Sequence, residues 1–285
     1  MKVLRTLLIL GRVSNLPTVW TNVLAGWFLA RGTFSPDLIW LLVGISLLYI
    51  AGMTFNDVFD AKWDSEHAPE RPIPSGAISR KFAGSCGIIQ LLTGFALILV
   101  PSSSLWLPAA SLVAAIFFYN WLHKRWAGSV LIMGICRGLV YALAFTAAGT
   151  DSTKFAAPFL AFTMIGYVAG ITLAARFERS RDTNRAPVLF AQVLLFTPVL
   201  GFVALHDQTP YWPWILAGGL LTWLSWLFFS MRALKNSIPT GVALLIAGIC
   251  VIDAVAIAFG DLKIAILALA MLPLTLLFQR FIPAT

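Results

Sequence analysis

Residues 56–76 read NDVFDAKWDSEHAPERPIPSG and hold the densest chemistry in the chain. Asp57, Asp60 and Asp64 fall at i, i+3 and i+7, which places all three carboxylates on one face of a helix. Like charges so close repel, so the row calls for a counter-charge. Carboxylate oxygens suit Mg²⁺, which commonly joins one or two carboxylates to substrate phosphates. An aspartate row at the end of an apolar run therefore points to a lipid-like substrate with a phosphate head.

A second acidic pair follows about 120 residues later. Glu178 and Asp182 stand at i and i+4, among Arg176, Arg179, Arg181 and Arg185. Two such clusters facing each other can hold Mg²⁺ against a diphosphate, with Asp57, Asp60, Asp64, Glu178 and Asp182 as ligands. The remaining phosphate oxygens would take Asn56, Arg71, Lys124, Arg125, Arg137, Arg179, Arg181 or Arg185. A site of this kind ionises an allylic diphosphate without a nucleophilic side chain, because it only has to stabilise the departing pyrophosphate. The carbocation left behind needs a dry chamber, and aromatic faces in its wall stabilise positive charge.

The elements that must position these residues are membrane helices. The chain is 59% hydrophobic and only 11% charged, against about 45–50% and about 25% for a soluble domain. Ten apolar runs near 14–31, 38–57, 82–101, 104–122, 128–149, 155–175, 188–206, 212–231, 239–259 and 263–281 approach the length of a span. The expectation is one domain over 1–285: an all-α polytopic bundle of nine or ten transmembrane helices around a central cavity. With ten spans, sixteen Lys and Arg fall on one side, while Arg31, Lys154 and Lys263 fall on the other. That asymmetry puts both termini and the two long charged loops, 58–81 and 176–187, in the cytoplasm of a bacterial-type inner membrane. The net charge of +8 is then a topology signal and an attraction to anionic lipid. Basic residues scattered over short loops do not make a nucleic-acid surface.

Other reactive side chains read more plainly. Cys86, Cys136 and Cys250 lie in apolar runs without CxxC spacing and read as free thiols. The N-terminal run has no small-residue cleavage site and reads as retained. His67, His123 and His206 read as interfacial singletons. Arg137 and Asp253 lie inside spans, where an ionisable group faces a cavity or a partner. Arg137 reaches the diphosphate, braces the acidic loop or meets a backbone carbonyl; Asp253 pairs with a polar neighbour. Asn22 and Asn120 are helix–helix contacts or substrate contacts, and the sequence leaves both open.

The first loop resembles the N-D-x-x-D-x-x-x-D motif of the UbiA superfamily of intramembrane prenyltransferases, and Arg71-Pro72 with Ser75-Gly76 resembles its trailing R-P-x-x-x-G. Arg12 with Asn15-Leu16-Pro17-Thr18, Tyr119 with Lys124-Arg125, and Arg137 extend the likeness over most of the chain. The resemblance implies a helical bundle around a cavity, a prenyl diphosphate donor, Mg²⁺ and a lipophilic, usually aromatic, acceptor. The chain departs from the family at its second motif, D-x-x-x-D, which here reads Glu178-Arg-Ser-Arg-Asp182. The alternatives are a terpene cyclase of the same superfamily and a transporter or lipid-binding protein with cation-binding loops. Interrupted helices at mid-membrane would favour the transporter.

Overall fold

A chain in lipid must satisfy its own backbone hydrogen bonds, and long apolar stretches do so as helices. The computed structural model describes residues 2–30, 33–149, 156–180, 185–205 and 209–284, and every regular element among them is helical. In chain order these are α1 (Lys2–Leu10), α2 (Leu16–Ala30), α3 (Asp37–His67), α4 (Arg80–Ile98), α5 (Trp106–Leu122), α6 (Ser129–Ala148) and α7 (Ala156–Ser180). Then follow α8 (Arg185–Leu195), α9 (Thr197–Ala204), α10 (Trp212–Asn236), α11 (Ile238–Ala247), α12 (Ile249–Ala258) and α13 (Leu262–Phe281).

Among the described residues, eight helices are long and apolar enough to cross a membrane, counting α11 and α12 as one. The other two apolar runs are shorter: α2 has 15 residues, and run 188–206 is divided into α8 and α9. The protein is an integral-membrane helical bundle. An amphipathic α1 precedes the first apolar run; its Val3 and Leu4 are exposed, while Leu10 is buried against Ile78 and Ala83. This helix thereby clamps the loop that follows α3.

Two apolar runs are interrupted, at α8–α9 and at α11–α12. At the α11–α12 break, Trp226 Nε1 donates to the Leu244 carbonyl (3.0 Å) and Tyr167 Oη to that of Leu245 (2.7 Å). Before α9, Thr197 Oγ1 reaches the Thr163 carbonyl (2.7 Å). At the α11–α12 break, side chains of neighbouring helices thus take up α11 carbonyls, whereas Thr197 ties the start of α9 to α7.

Close helix contacts set the register. Gly44 on α3 meets Gly94 on α4, and a Cβ on Gly94 would come 2.7 Å from the Gly44 carbonyl oxygen. Only glycine permits that approach, so α3 lies tightly along α4 and its aspartate end is held firmly. The chain ends are tied together as well. Asn15 Nδ2 donates to the Ala284 carbonyl (2.9 Å), and Gln279 Nε2 donates to Asn15 Oδ1 (3.2 Å).

Candidate active site

Helix α3 runs on past its apolar part to His67, so the aspartate row forms its last three turns. The row is buried: Asp57, Asp60 and Asp64 are 7%, 6% and 1% exposed. Each carboxylate has been given cationic company by a different element. Arg71, on the loop after α3, donates from Nη1 to Asp64 Oδ2 (2.9 Å) and lies 3.7 Å from Asp57 Oδ1. Lys124, just beyond α5, places Nζ 3.0 Å from Asp60 Oδ2 and 3.7 Å from Asp64 Oδ1. The same ammonium sits over the Trp63 ring, 3.6 Å from its centre. Burial would lower the Arg71 pKa, but the Asp64 hydrogen bond and the Asp57, Asp64 and Asp60 charges outweigh it and raise it. Arg71 is therefore a permanent cation at the row.

Arg12 reaches the row from a turn between α1 and α2. Its backbone is left-handed, with φ of 42°, a costly conformation for a residue with a Cβ. That turn aims the guanidinium at Asn56 Oδ1 (3.4 Å) and Asp57 Oδ1 (3.7 Å). A guanidinium only donates, so Asn56 presents its oxygen to Arg12 and its Nδ2 to Asn120 Oδ1 (3.1 Å). Asn120 Nδ2 ends the relay on the Gly52 carbonyl (3.1 Å). This settles Asn120 as a helix–helix contact between α3 and α5 that also holds Asn56 in place.

Two carboxylate oxygens remain over. Asp57 Oδ1 and Asp64 Oδ1 are buried without a hydrogen-bond partner. Buried polar atoms are rarely left so, and these two are free to ligate a cation. Among the described residues, no three His, Cys, Asp or Glu side chains converge into a cage. The donor set fits the Mg²⁺ mode with one or two carboxylates plus substrate oxygens, rather than an all-protein site.

Beside the row lies an apolar cavity of about 560 Å³, including its open mouth, between α2, α3, α5 and α6. Its wall is aliphatic, with Tyr49, Tyr119, Asn120 and Arg137 as its main polar members. Asn120 and Met53, which contact Asn56 and Arg12, place the aspartate row at one end of the cavity.

The other sequence-selected residues divide. Arg137 does not touch the aspartate row; its Nη1 donates to Asn22 Oδ1 (2.7 Å) and its Nη2 to Thr18 Oγ1 (3.0 Å). Arg125 holds its guanidinium over the Trp121 ring, 5.9 Å from the centre, away from the carboxylates. Arg181 and Asp182, and the side chains of Glu178, Arg179 and Arg185, lie outside the described residues, as does His206.

Two participants escaped the sequence reading. His123, read as interfacial, places Nε2 3.0 Å from Asp60 Oδ2, the oxygen that Lys124 also approaches. Its position next to Lys124 was the available signal. Arg176, read among the loop cations, bonds the His123 carbonyl (3.2 Å), the Ala127 carbonyl (3.1 Å) and Ser129 Oγ (3.2 Å). It braces the α5–α6 turn that carries Lys124.

Comparison with known proteins agrees with this fold. The model of the UbiA prenyltransferase family matches residues 18–237. A 4-hydroxybenzoate octaprenyltransferase from Escherichia fergusonii is 26% identical over 235 residues, covering 74% of this chain and 79% of its own. One from Yersinia pseudotuberculosis is 25% identical over 230 residues, covering 74% and 80%. In fold, the chain resembles an apo UbiA homolog from Aeropyrum pernix (TM-score 0.66, 18% identity, covering 87% of this chain and 97% of that one). It also resembles an Archaeoglobus fulgidus homolog bound to GPP and Mg²⁺ (TM-score 0.55, 15% identity, covering 90% and 98%). With the family model spanning most of its length, this chain belongs to the UbiA prenyltransferase family and is a prenyltransferase.

Proposed function

We propose that the protein transfers an isoprenoid group from a prenyl diphosphate to a lipophilic aromatic acceptor within the membrane, with Mg²⁺ required. The observation that carries this reading is the buried aspartate row, with two carboxylate oxygens that accept no hydrogen bond, at one end of an apolar cavity. Asp57, Asp60 and Asp64, with Glu178 and Asp182 from the second motif, are the residues that would hold Mg²⁺. When bound, Mg²⁺ neutralises charge on the departing pyrophosphate.

The chain's own residues supply the rest. Arg71, Arg12 and Lys124 already surround the row and would turn toward diphosphate oxygens once the carboxylates are engaged. The allylic C–O bond breaks and its electron pair leaves with pyrophosphate. The cavity wall excludes water from the cation and leaves Tyr49 and Tyr119 facing it. The acceptor's π electrons form the new C–C bond, and its ring proton departs to a basic group. The Escherichia and Yersinia relatives, both 4-hydroxybenzoate octaprenyltransferases, favour a hydroxybenzoate as the acceptor. The charge bias of the loops supports a cytoplasmic mouth.

Purified protein incubated with labelled geranyl, farnesyl and geranylgeranyl diphosphates tests this, with and without Mg²⁺ and 4-hydroxybenzoate. The expected result is Mg²⁺-dependent pyrophosphate release and a prenylated acid that needs the acceptor. A hydrocarbon or alcohol formed without acceptor would make the protein a cyclase instead. No Mg²⁺-dependent release with any donor would remove both readings.

A further inference from the structure

The chain buries a second acid that the aspartate row does not involve. Asp253 on α12 is fully buried, as are Asn22 on α2 and, almost completely, Tyr141 on α6. Their hydrogen bonds leave no freedom in assigning donors. Arg137 only donates, so Asn22 must offer it Oδ1 (2.7 Å). The Asn22 Nδ2 then faces Asp253 Oδ2 (2.7 Å) and Tyr141 Oη (3.1 Å). With its oxygen accepting from Asn22, Tyr141 turns its own proton toward Asp253 Oδ1. Both Asp253 oxygens are therefore placed to accept. Among the described residues, no carboxylate lies within ion-pair distance of Arg137. Its counter-charge arrives through one amide.

The relay has a clear orientation. Arg137 and Tyr141 stand one turn apart on α6, so one helix face presents the guanidinium to the cavity and the phenol to Asp253. The guanidinium lies 5.7 Å from the Tyr49 ring. Tyr49 precedes Asn56 by seven residues on α3, about 10 Å along its axis. Arg137 is thus a charged side chain in the cavity wall about two turns from the aspartate end. Left to itself, a guanidinium in an apolar wall would rotate toward the aspartate row or draw in water.

We propose that Asp253 is a positioning residue: acting through Asn22, it supplies the counter-charge that holds Arg137 at the cavity wall, oriented for an anionic group of a bound substrate. This rests on the prenyl-transfer reading for the identity of the substrate, but the counter-charge itself does not depend on that reading. Substrate touches Arg137, and Asp253 fixes where Arg137 is.

The exchanged pair Asn22→Asp/Asp253→Asn provides the decisive test. It moves the negative charge one residue closer to Arg137 and keeps every shape and most hydrogen bonds. Asp253→Asn alone should lower kcat/KM for prenyl transfer about tenfold or more. The exchanged pair should recover most of that loss, which a packing role for Asp253 would not predict. In the Arg137→Gln background, Asp253→Asn should cost little further activity. Thermal unfolding in detergent reads the charge relation without any substrate. Asp253→Asn and Arg137→Gln should each lower Tm, and their combination should melt above Asp253→Asn alone, because it no longer buries an uncompensated cation. Additive Tm losses, or an exchanged pair no better than Asp253→Asn, would overturn the inference. If wild type released no pyrophosphate but the Tm pattern held, the counter-charge would stand and the prenyl-transfer reading would fall.

Discussion

Two amide relays in this protein begin on an arginine and end differently. At the cavity mouth, Arg12 bonds Asn56, Asn56 bonds Asn120, and Asn120 ends on the neutral Gly52 carbonyl. In the interior, Arg137 bonds Asn22, and Asn22 ends on the Asp253 carboxylate. The mouth keeps spare acceptors: three carboxylates balance three nearby strong cations, yet two carboxylate oxygens accept no hydrogen bond. The interior is closed, with every named donor and acceptor matched. An unfinished polar cluster has capacity for a ligand, whereas a finished one fixes the scaffold. Substitutions at the mouth should therefore cost activity alone, whereas those in the interior should cost stability as well.

The largest effect belongs to the mouth. Asp57→Asn removes charge from an oxygen that has no hydrogen-bond donor in this structure. Prenyl transfer should fall about 100-fold or more, while Tm holds or rises, because one of three crowded negative charges is gone. Steady-state turnover alongside a melting curve checks both halves. An active Asp57→Asn variant, or one that unfolds, would erase the distinction drawn here. Arg71→Ala comes next, at about 10–100-fold in kcat/KM, since it removes a charged donor to phosphate. Excess Mg²⁺ should not restore it, because Arg71 contributes donors as well as charge.

The interior answers in the opposite currency of measurement. Tyr141→Phe takes the proton away from Asp253 Oδ1 and leaves a fully buried oxygen without that donor. The expected cost is about 1–3 kcal/mol of stability, read by unfolding in detergent. Mg²⁺ dependence of turnover should be unchanged. A variant with wild-type stability but altered Mg²⁺ dependence would place Asp253 in the mouth's chemistry after all.

How far the sequence could be read follows the same division. The aspartate row was legible because its spacing lies within one helix, where i, i+3 and i+7 share a face whatever the rest of the fold does. The spans were legible from apolar length, and the bundle followed from them. Arg71 was legible as a cation close behind the row. The interior relay was not, because Arg137 and Asn22 lie 115 positions apart and Asn22 and Asp253 lie 231 apart. Such pairings depend on the register of three helices, and the sequence went only as far as giving Asp253 a polar neighbour. Arg12 belongs to an intermediate class. Its residue type was visible, but the left-handed turn that aims it at Asp57 is a property of how α1 folds back over α3. The divided helices differ in this respect: Pro198, in the first turn of α9, is a helix-breaking signal that marks the α8–α9 division, whereas Gly248 is one glycine in a long apolar run.

His123 supplies the finest test of the contrast. Its Nε2 and the Lys124 ammonium approach the same Asp60 oxygen, each at 3.0 Å. A mouth with two partners on one oxygen tolerates losing one of them, whereas the interior has no spare donor to lose. The Lys124 side chain keeps 31% of its surface exposed, so solvent screens its pairing, while His123 keeps 12%. His123→Gln retains a donor of similar reach and should lower kcat/KM by less than about fivefold. Lys124→Gln alone should cost more, because it removes permanent charge near both Asp60 and Asp64. The double variant should lose more than the product of the two single losses, since Asp60 Oδ2 then has neither of its original partners. Turnover of the four proteins across a Mg²⁺ titration measures this directly. Simple multiplication of the two losses would mean that His123 and Lys124 serve Asp60 independently, and the second partner at the mouth would then be no reserve at all.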